Sequence, residues 1–256
     1  MKYDQISSNQ DIVRRIDGND GKRWYRGIKV DHEGGEHIIW EYPSYTTVLD
    51  ATYPMDQYLV RWIRDQGIAG QAIFEKAGEE GTEVHIAIES LIYGKPMETL
   101  LMSDKVKSCV QAFVDWATEF KPKFIDCETI VSDEVLRTAG TRDLLCELNY
   151  TKGKTAYVGE YIVDFKSSTS VQEKHYLQVA GYWGAHKNRD KTKTAILHLN
   201  SRNKCGYGFY DFDPHPKYSQ FMHFRKTFDI IYPDAKPVEK FYPSTFELPQ
   251  ELTIKM

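Results

Sequence analysis

Residues 139–166 read AGTRDLLCELNYTKGKTAYVGEYIVDFK and contain the clearest secondary-structure signals of the chain. Two strand-like runs flank a turn-like hexapeptide at 150–155, which has Gly153 near its middle. If the runs fold back around that glycine, Asp143 lies ten residues before the centre and Asp164 eleven residues after it. Because cross-strand neighbours face each other, the two carboxylates are expected to meet on the sheet.

The second run also predicts which side chains share a face. Residues two apart in a strand point the same way, so Lys166 is expected beside Asp164. Tyr161, Val163 and Phe165 point the other way and can fill a core. The hairpin therefore predicts two acids and an amine on one polar face, backed by an apolar face.

This combination of groups is suited to phosphodiester chemistry at a divalent cation. Two close carboxylates repel each other as anions, and a bound cation relieves the repulsion. Mg²⁺ prefers oxygen ligands and is typically held by one or two carboxylates together with substrate phosphate. A lysine nearby can orient water or neutralise developing charge. The alternative is a surface salt-bridge cluster of the same three residues, which is common and contributes little stability.

Two further pairs of side chains have helical spacing. Gln178 and Tyr182 stand four residues apart, as do His85 and Glu89, so each pair is expected to share a helix face. The first pair is either functional or part of a packing surface with a buried glutamine. His85 is either structural or a metal ligand, and an imidazole ligand would favour Mn²⁺ over Mg²⁺.

The remaining elements follow from apolar spacing and turn residues. A β-hairpin is predicted over 25–42, turning at Gly34-Gly35, and Gly67 is expected to end a helix. The predicted helices are 55–66, 69–77, 84–93, 105–120, 172–186 and 218–231. The predicted strands are 124–131, 139–148, 156–166, 194–200 and 206–212.

The chain is therefore predicted to be a single α/β domain whose first half is mostly helical. It divides into a hairpin and helical part at 25–120, a core at 124–231 and an irregular tail at 233–256. Composition agrees with an ordinary globular protein. With 33 Lys+Arg against 37 Asp+Glu, the formal charge is −4, which excludes a polybasic protein but not a local basic groove.

The cysteine pattern and the hydropathy of the chain limit which cofactors and which cellular compartment can be expected. The four cysteines form no CxxC pair, so no iron–sulfur cluster is expected and a reducing compartment is indicated. Apolar runs are too short for a membrane span, and 1–20 contain no apolar segment typical of a secretion signal. A cytoplasmic location without a membrane partner is expected.

Taken together, the motifs resemble the PD-(D/E)XK nuclease superfamily, and most closely its RecB-type exonuclease branch. In chain order they are Gly81-x-x-x-His85, Glu128, Gly140-x-x-Asp143, Asp164-x-Lys166 and Gln178-x-x-x-Tyr182. The segments Pro43-Ser44-x-Thr46-Thr47-Val48-Leu49 and Leu59-x-x-Trp62 are similar to the opening of phage and mitochondrial genome-maintenance exonucleases. The resemblance covers residues 42–199.

The resemblance implies a fold and a metal centre. The fold would be a restriction-endonuclease-like core, a central mixed sheet flanked by helices, with an N-terminal helical insert. Asp143, Asp164 and the carbonyl of Phe165 would ligate Mg²⁺ or Mn²⁺, and His85 would be an additional ligand. Glu128 would lie nearby, either supporting the ligands or contributing to a second metal site.

The resemblance also implies catalytic roles. Lys166 would position or activate the attacking water, Gln178 would contact Lys166 or the scissile phosphate, and Tyr182 would support the substrate strand. The reaction would be hydrolysis of DNA phosphodiesters. The helical insert would roof the site and force a single strand to thread through it.

Three interpretations of function remain open at this stage. The first is a metal-dependent DNA exonuclease of a phage or mobile element in a bacterial host cell, acting on single strands or DNA ends in recombination or replication. Its partner would be an annealing protein, a helicase or a single-strand-binding protein. The second is a structure-selective endonuclease, because the same site can cut internally. The third is a non-catalytic nucleic-acid-binding module, which would be marked by loss of an acid or of the lysine.

Overall fold

The computed structural model describes residues 4–6, 11–55, 57–200 and 205–239, and this part of the chain contains nine strands and six α-helices. The strands are β1 (Asp4–Ile6), β2 (Asp11–Asp17), β3 (Arg23–Val30), β4 (Glu36–Pro43), β5 (Lys123–Asp133), β6 (Thr138–Lys152), β7 (Thr155–Lys166), β8 (Lys193–His198) and β9 (Gly208–Phe212). The helices are α1 (Tyr45–Thr52), α2 (Gln57–Gln66), α3 (Ile68–Ile92), α4 (Asp104–Phe120), α5 (Glu173–Gly184) and α6 (Pro214–Ile231).

The centre of the molecule is a mixed five-stranded sheet in the order β5-β6-β7-β8-β9. Only β7 and β8 pair in parallel, because α5 crosses over between them, and the other neighbours are antiparallel. Val163 and Phe165 of β7 pack into an apolar cluster with α3 and α4, whereas Ile162 packs with α1, α5 and α6. The chain is thus α/β, with a mixed sheet flanked by helices on both faces, as predicted.

The β6–β7 hairpin has the register that the sequence predicts. The pairing runs from Lys152↔Thr155 to Leu144↔Val163, so Asp143 and Asp164 are the next residues in the two strands. Gly153 turns the chain with a positive φ of 62°, a conformation that favours glycine. The turn is shorter than the predicted hexapeptide, because both strands continue to within two residues of each other.

A second, four-stranded antiparallel sheet precedes the helices in the order β1-β2-β3-β4. The predicted hairpin at Gly34-Gly35 is confirmed as β3–β4, with φ of 85° at Gly34. Helical residues outnumber strand residues in the described part of 4–120, as expected, but strands β1 and β2 were not predicted. The reason is that charged residues such as Arg14 and Arg15 obscure the alternation in β2, where Ile16 is buried.

Helix α3 corrects another prediction. Two helices were expected over 69–77 and 84–93, but one continuous helix spans the interval, including Gly78 and Gly81. An interior glycine costs only about 1 kcal/mol relative to alanine, so it does not end a helix that packing supports. Ile88, like its neighbours on that face, is fully buried in the cluster shared with α4.

Most other boundaries agree to within a few residues. Gly67 separates α2 from α3 with φ of 56°, as expected for a stop. Helix α6 begins four residues before its predicted start, because Asp213 caps it and Pro214 occupies its first turn. Residues 232–239 form no helix or strand, and 240–256 of the predicted tail lie outside the described residues. Within the described chain, no helix has the length and apolarity to cross a membrane.

Candidate active site

The floor of the candidate site is the place where β6 and β7 diverge. Asp143 on β6 and Asp164 on β7 are 5% and 0% exposed, respectively. The backbone N–H of Phe165 donates to Asp143 Oδ2 at 2.7 Å, which ties the end of β7 to β6 after their regular pairing stops. The predicted pair of acids is therefore adjacent and buried, and this burial weakens the interpretation of the residues as a solvated surface cluster.

Three side chains converge on one side of this floor. His85 of α3 places Nδ1 3.0 Å from Glu128 Oε1 of β5 and 3.6 Å from Asp143 Oδ1 of β6. One ligand atom from each of the three residues lies within 4.8 Å of the others. Imidazole and carboxylate groups at such distances can share a divalent cation. The cluster thus joins three of the five predicted ligands, and Asp164 is not a member of it.

Glu128 occupies an unusual backbone conformation. Its φ is +51°, a left-handed value that costs a residue with a side chain of order 1 kcal/mol or more. The flanking pairs Cys127↔Leu144 and Thr129↔Arg142 place Glu128 directly opposite Asp143. The strained backbone therefore lies at the point where the Glu128 carboxylate reaches His85.

A second set of contacts leads away from Asp164. Lys166 Nζ lies 2.6 Å from Asp164 Oδ2 and 3.4 Å from Gln178 Oε1 of α5. The Gln178 amide in turn donates to the Tyr182 hydroxyl at 2.6 Å. Residues 166, 178 and 182, predicted from the DxK and QxxxY spacings, therefore form one continuous chain of polar contacts with Asp164.

Asp164 supplies the test of whether this site suits a cation. Its Oδ2 faces the Lys166 ammonium at 2.6 Å, whereas its buried Oδ1 accepts no hydrogen bond from any described residue. A buried carboxylate oxygen without a partner is costly, and a bound cation would remove that cost. The donor set of one imidazole and several carboxylates fits Mn²⁺ or Mg²⁺. The residues present therefore fit a divalent metal, while Phe165 as a carbonyl ligand stays a prediction.

The charges of the site shift each other's pKa values. Burial would lower the pKa of His85, but the negative charges of Asp143 and Glu128 raise it to about 9. Burial raises the pKa of both Asp143 and Asp164. Burial alone would lower the pKa of Lys166, yet the two aspartates raise it, so the ammonium stays protonated near neutral pH.

Two glycines let aromatic rings close over the sheet beside the site. A Cβ at Gly140 would lie 2.7 Å from ring atoms of both Tyr45 and Tyr182, and one at Gly181 would lie 2.4 Å from Tyr45. Tyr45 and Tyr182 pack edge to face with ring centroids 5.1 Å apart. The glycine of the Gly140-x-x-Asp143 motif thus makes room for the tyrosine of the QxxxY motif.

Basic and aromatic side chains of the chain differ in how accessible they are for contact with nucleic acid. Arg61 and Arg64 of α2 are exposed, and Trp62 is 38% exposed. Lys152 Nζ donates a hydrogen bond to Glu119 Oε1 at 2.8 Å, and Trp183 is buried with its indole N–H donating to backbone carbonyls.

Three of the cysteines, Cys109, Cys127 and Cys146, are buried, and Cys205 is exposed.

Sequence reasoning missed residues around the far side of Lys166. Lys174 and His175, at the start of α5, line a cavity that Lys166 and Gln178 share. The signal that could have identified them is their position in the first turn of the helix that carries the QxxxY residues.

No known family profile matches the chain, and no curated protein matches it in sequence.

Proposed function

We propose that the chain is a metal-dependent nuclease of the PD-(D/E)XK type that hydrolyses DNA phosphodiester bonds, acting as an exonuclease on single strands or ends. The main support for this proposal is that the cluster of His85, Glu128 and Asp143 lies beside a buried Asp164, which is paired with Lys166. The preference for DNA ends rests on the resemblance to RecB-type exonucleases.

The metal would be held by the converging side chains and by the strand end. His85, Glu128 and Asp143 supply one nitrogen and two carboxylates, and Asp164 supplies a further buried carboxylate whose Oδ1 has no partner among the described residues. Phe165 would add its carbonyl, as the resemblance implies. A divalent cation at such a site lowers the pKa of bound water and stabilises charge on a phosphodiester.

Lys166 would act on the water and on the phosphate. Because the aspartates raise its pKa, the amine is a cation and a hydrogen-bond donor rather than a base at neutral pH. It would therefore orient the attacking water and offset the negative charge that develops on the phosphate. Gln178 limits the positions of Lys166 through its amide oxygen, and Tyr182 fixes the orientation of that amide.

The burial of Lys166 and Asp164 favours a catalytic role for these residues over the alternative that they form a surface salt-bridge cluster. Lys166 has 16% of its side chain exposed and Asp164 has 1%, so their pairing is not the solvated kind. Such buried pairs are rarely a source of net stability, since desolvation offsets the attraction. All three groups of a hydrolytic centre are present, whereas a non-catalytic module would be marked by the loss of one.

The proposal is tested with one substitution and a matched control. Asp164→Asn removes a charge at the site, and Asp211→Asn removes a charge on β9 outside it. Linear single-stranded DNA is incubated with each variant and Mn²⁺. We expect the first variant to lose at least about 99% of the activity, because a ligand is lost, and the second to keep it. Equal activity of the two variants, or no cleavage by the unaltered chain, would refute the proposal.

A further inference from the structure

A cavity of about 220 Å³ lies on the α5 side of Lys166. Its walls come from α1, from the end of β7 and from the first turn and a half of α5. Lys166 and Gln178 belong both to the candidate active site and to this cavity, so the two spaces adjoin. A group in the cavity would lie next to the phosphate on which Lys166 acts.

His175 lines this cavity, and one hydrogen bond fixes the orientation of its ring. It is 8% exposed, and its Nδ1 accepts the backbone N–H of Gln172 at 3.1 Å. A nitrogen that accepts from a backbone amide carries no proton, so the proton of the neutral ring is on Nε2. Burial and the nearby charges of Lys166 and Lys174 lower the pKa of His175 to about 3, which keeps the ring neutral. Within the described chain, no partner engages Nε2.

The rest of the cavity suits an anion. Helix α5 has 12 residues and begins here, so its first N–H groups and the positive end of its dipole lie at this wall. Lys166 and Lys174 add two ammonium groups, the first of which also pairs with Asp164 Oδ2 at 2.6 Å. Asp50 is the only carboxylate among the described lining residues, and Lys174 pairs with it at 3.3 Å.

We propose that this cavity binds a second phosphate group of the nucleic-acid strand, with His175 Nε2–H and Lys174 as its donors. The proposal rests on the proposed function for its substrate and adds a subsite that positions the strand relative to Lys166. The phosphate is either a terminal monoester or the diester next to the cleaved bond, and the two share the same oxygen acceptors.

Two substitutions at one position separate binding from folding. Glu and Gln at the third position of a helix both accept the backbone N–H of the capping residue, so His175→Glu and His175→Gln both keep the α5 cap. They differ in charge toward the cavity. We expect the Glu variant to bind phosphate at least about tenfold more weakly than the Gln variant, because a carboxylate repels the anion.

Binding is measured without cleavage. Inorganic phosphate is titrated into the metal-free chain while the imidazole nitrogen signals are followed by NMR, and the His175 signal is assigned from its absence in His175→Gln. A saturable shift of the His175 Nε2 signal supports the subsite even if the chain cleaves no DNA, so failure of the proposed function is distinguishable. No shift up to solubility-limited phosphate would overturn the subsite.

Cleavage then identifies the source of the phosphate. The KM for a 5′-phosphorylated single strand is compared with that for the same strand with a 5′-hydroxyl. A higher KM for His175→Glu than for His175→Gln on both substrates assigns an internal diester, and a difference on the phosphorylated strand alone assigns the terminus. Tyr176→Phe, which lies on the same helix outside the cavity, is the control and is expected to match the unaltered chain. Equal KM values for the Glu and Gln variants on both substrates would overturn the proposal.

Discussion

His85 Nδ1 lies 3.0 Å from Glu128 Oε1, although the two residues are 43 positions apart. One belongs to the long helix α3 and the other to the strand β5, and Asp143 of β6 completes the group. The contact is made with a left-handed backbone at Glu128 and with a helix that continues through Gly78 and Gly81. Both features are unfavourable locally, which indicates that the packed site and not local preference determines them.

Removal of His85 is expected to weaken metal binding. His85→Ala removes the imidazole nitrogen, so the affinity for Mn²⁺ should fall by about tenfold or more, as measured by isothermal titration calorimetry. His223→Ala is the control, because His223 is an exposed histidine of α6 that bonds only to a backbone carbonyl of its own helix among the described residues. An unchanged affinity for the His85 variant would show that this histidine is not a ligand.

Metal binding should also stabilise the fold. Mn²⁺ at a hundredfold excess over its dissociation constant contributes about 2.7 kcal/mol, which raises the melting temperature by roughly 5–10 °C in a chain of this size. Asp143→Asn should abolish most of that rise, because Asp143 is in the ligand cluster. Thermal unfolding with and without Mn²⁺ measures both values. A full rise in the Asn variant would place the bound metal elsewhere.

Two glycine substitutions should change the free energy of unfolding in opposite directions. Gly140→Ala places a Cβ within 2.7 Å of Tyr45 and Tyr182 ring atoms and should destabilise the chain by about 1–3 kcal/mol. Gly78→Ala meets nothing within 4 Å on α3 and should stabilise it by about 0.5–1 kcal/mol. Urea unfolding measures both. A loss of stability at Gly78 would contradict the continuous helix.

Acid should remove one identifiable contribution to stability. Lys152, Tyr150 and Tyr207 all hydrogen-bond to Glu119 and lower its pKa to about 2, from an ordinary 4.5. Because the folded-state pKa is depressed, the stabilisation is complete above pH 4.5 and is lost as the pH falls toward 2.

Glu119→Gln should therefore cost roughly 1 kcal/mol at pH 6 and almost nothing near pH 2. The free energy of unfolding in urea, measured for both chains across this range, provides the comparison. Thr118→Ser, on the adjacent exposed position of α4, serves as the control and should show no change with pH relative to the unaltered chain. A constant difference between Glu119→Gln and the unaltered chain at all pH values would exclude this account.

The hairpin that contributes Asp143, Asp164 and Lys166 could be predicted from sequence because its signals are local. A glycine turn and strand alternation specify the register, and the register brings the acids together. By contrast, the merged helix α3 depends on tertiary packing that no local pattern encodes. Strand β2 was missed because its polar side chains look like those of an exposed loop.

The approach of His85 to Glu128 could be expected only from the order of the motifs. Nothing in the spacing of the two residues predicts a distance, since it depends on how α3 crosses the sheet. The cavity at the start of α5 could not be predicted either. Its lining residues come from α1, the end of β7 and the start of α5, which are far apart in the sequence and meet only in the fold.

We propose that Lys166 and the adjacent acids hydrolyse DNA from an end. The most direct measurement follows end-labelled linear single-stranded DNA beside a closed circle of the same sequence, with Mn²⁺ or Mg²⁺, for the unaltered chain and for Lys166→Ala. We expect loss of the linear strand alone, at a rate that depends on metal and falls at least about a hundredfold in Lys166→Ala. Cleavage of both substrates at equal rates would contradict the end requirement. Cleavage that persists in Lys166→Ala, or no cleavage at all, would contradict the account as a whole.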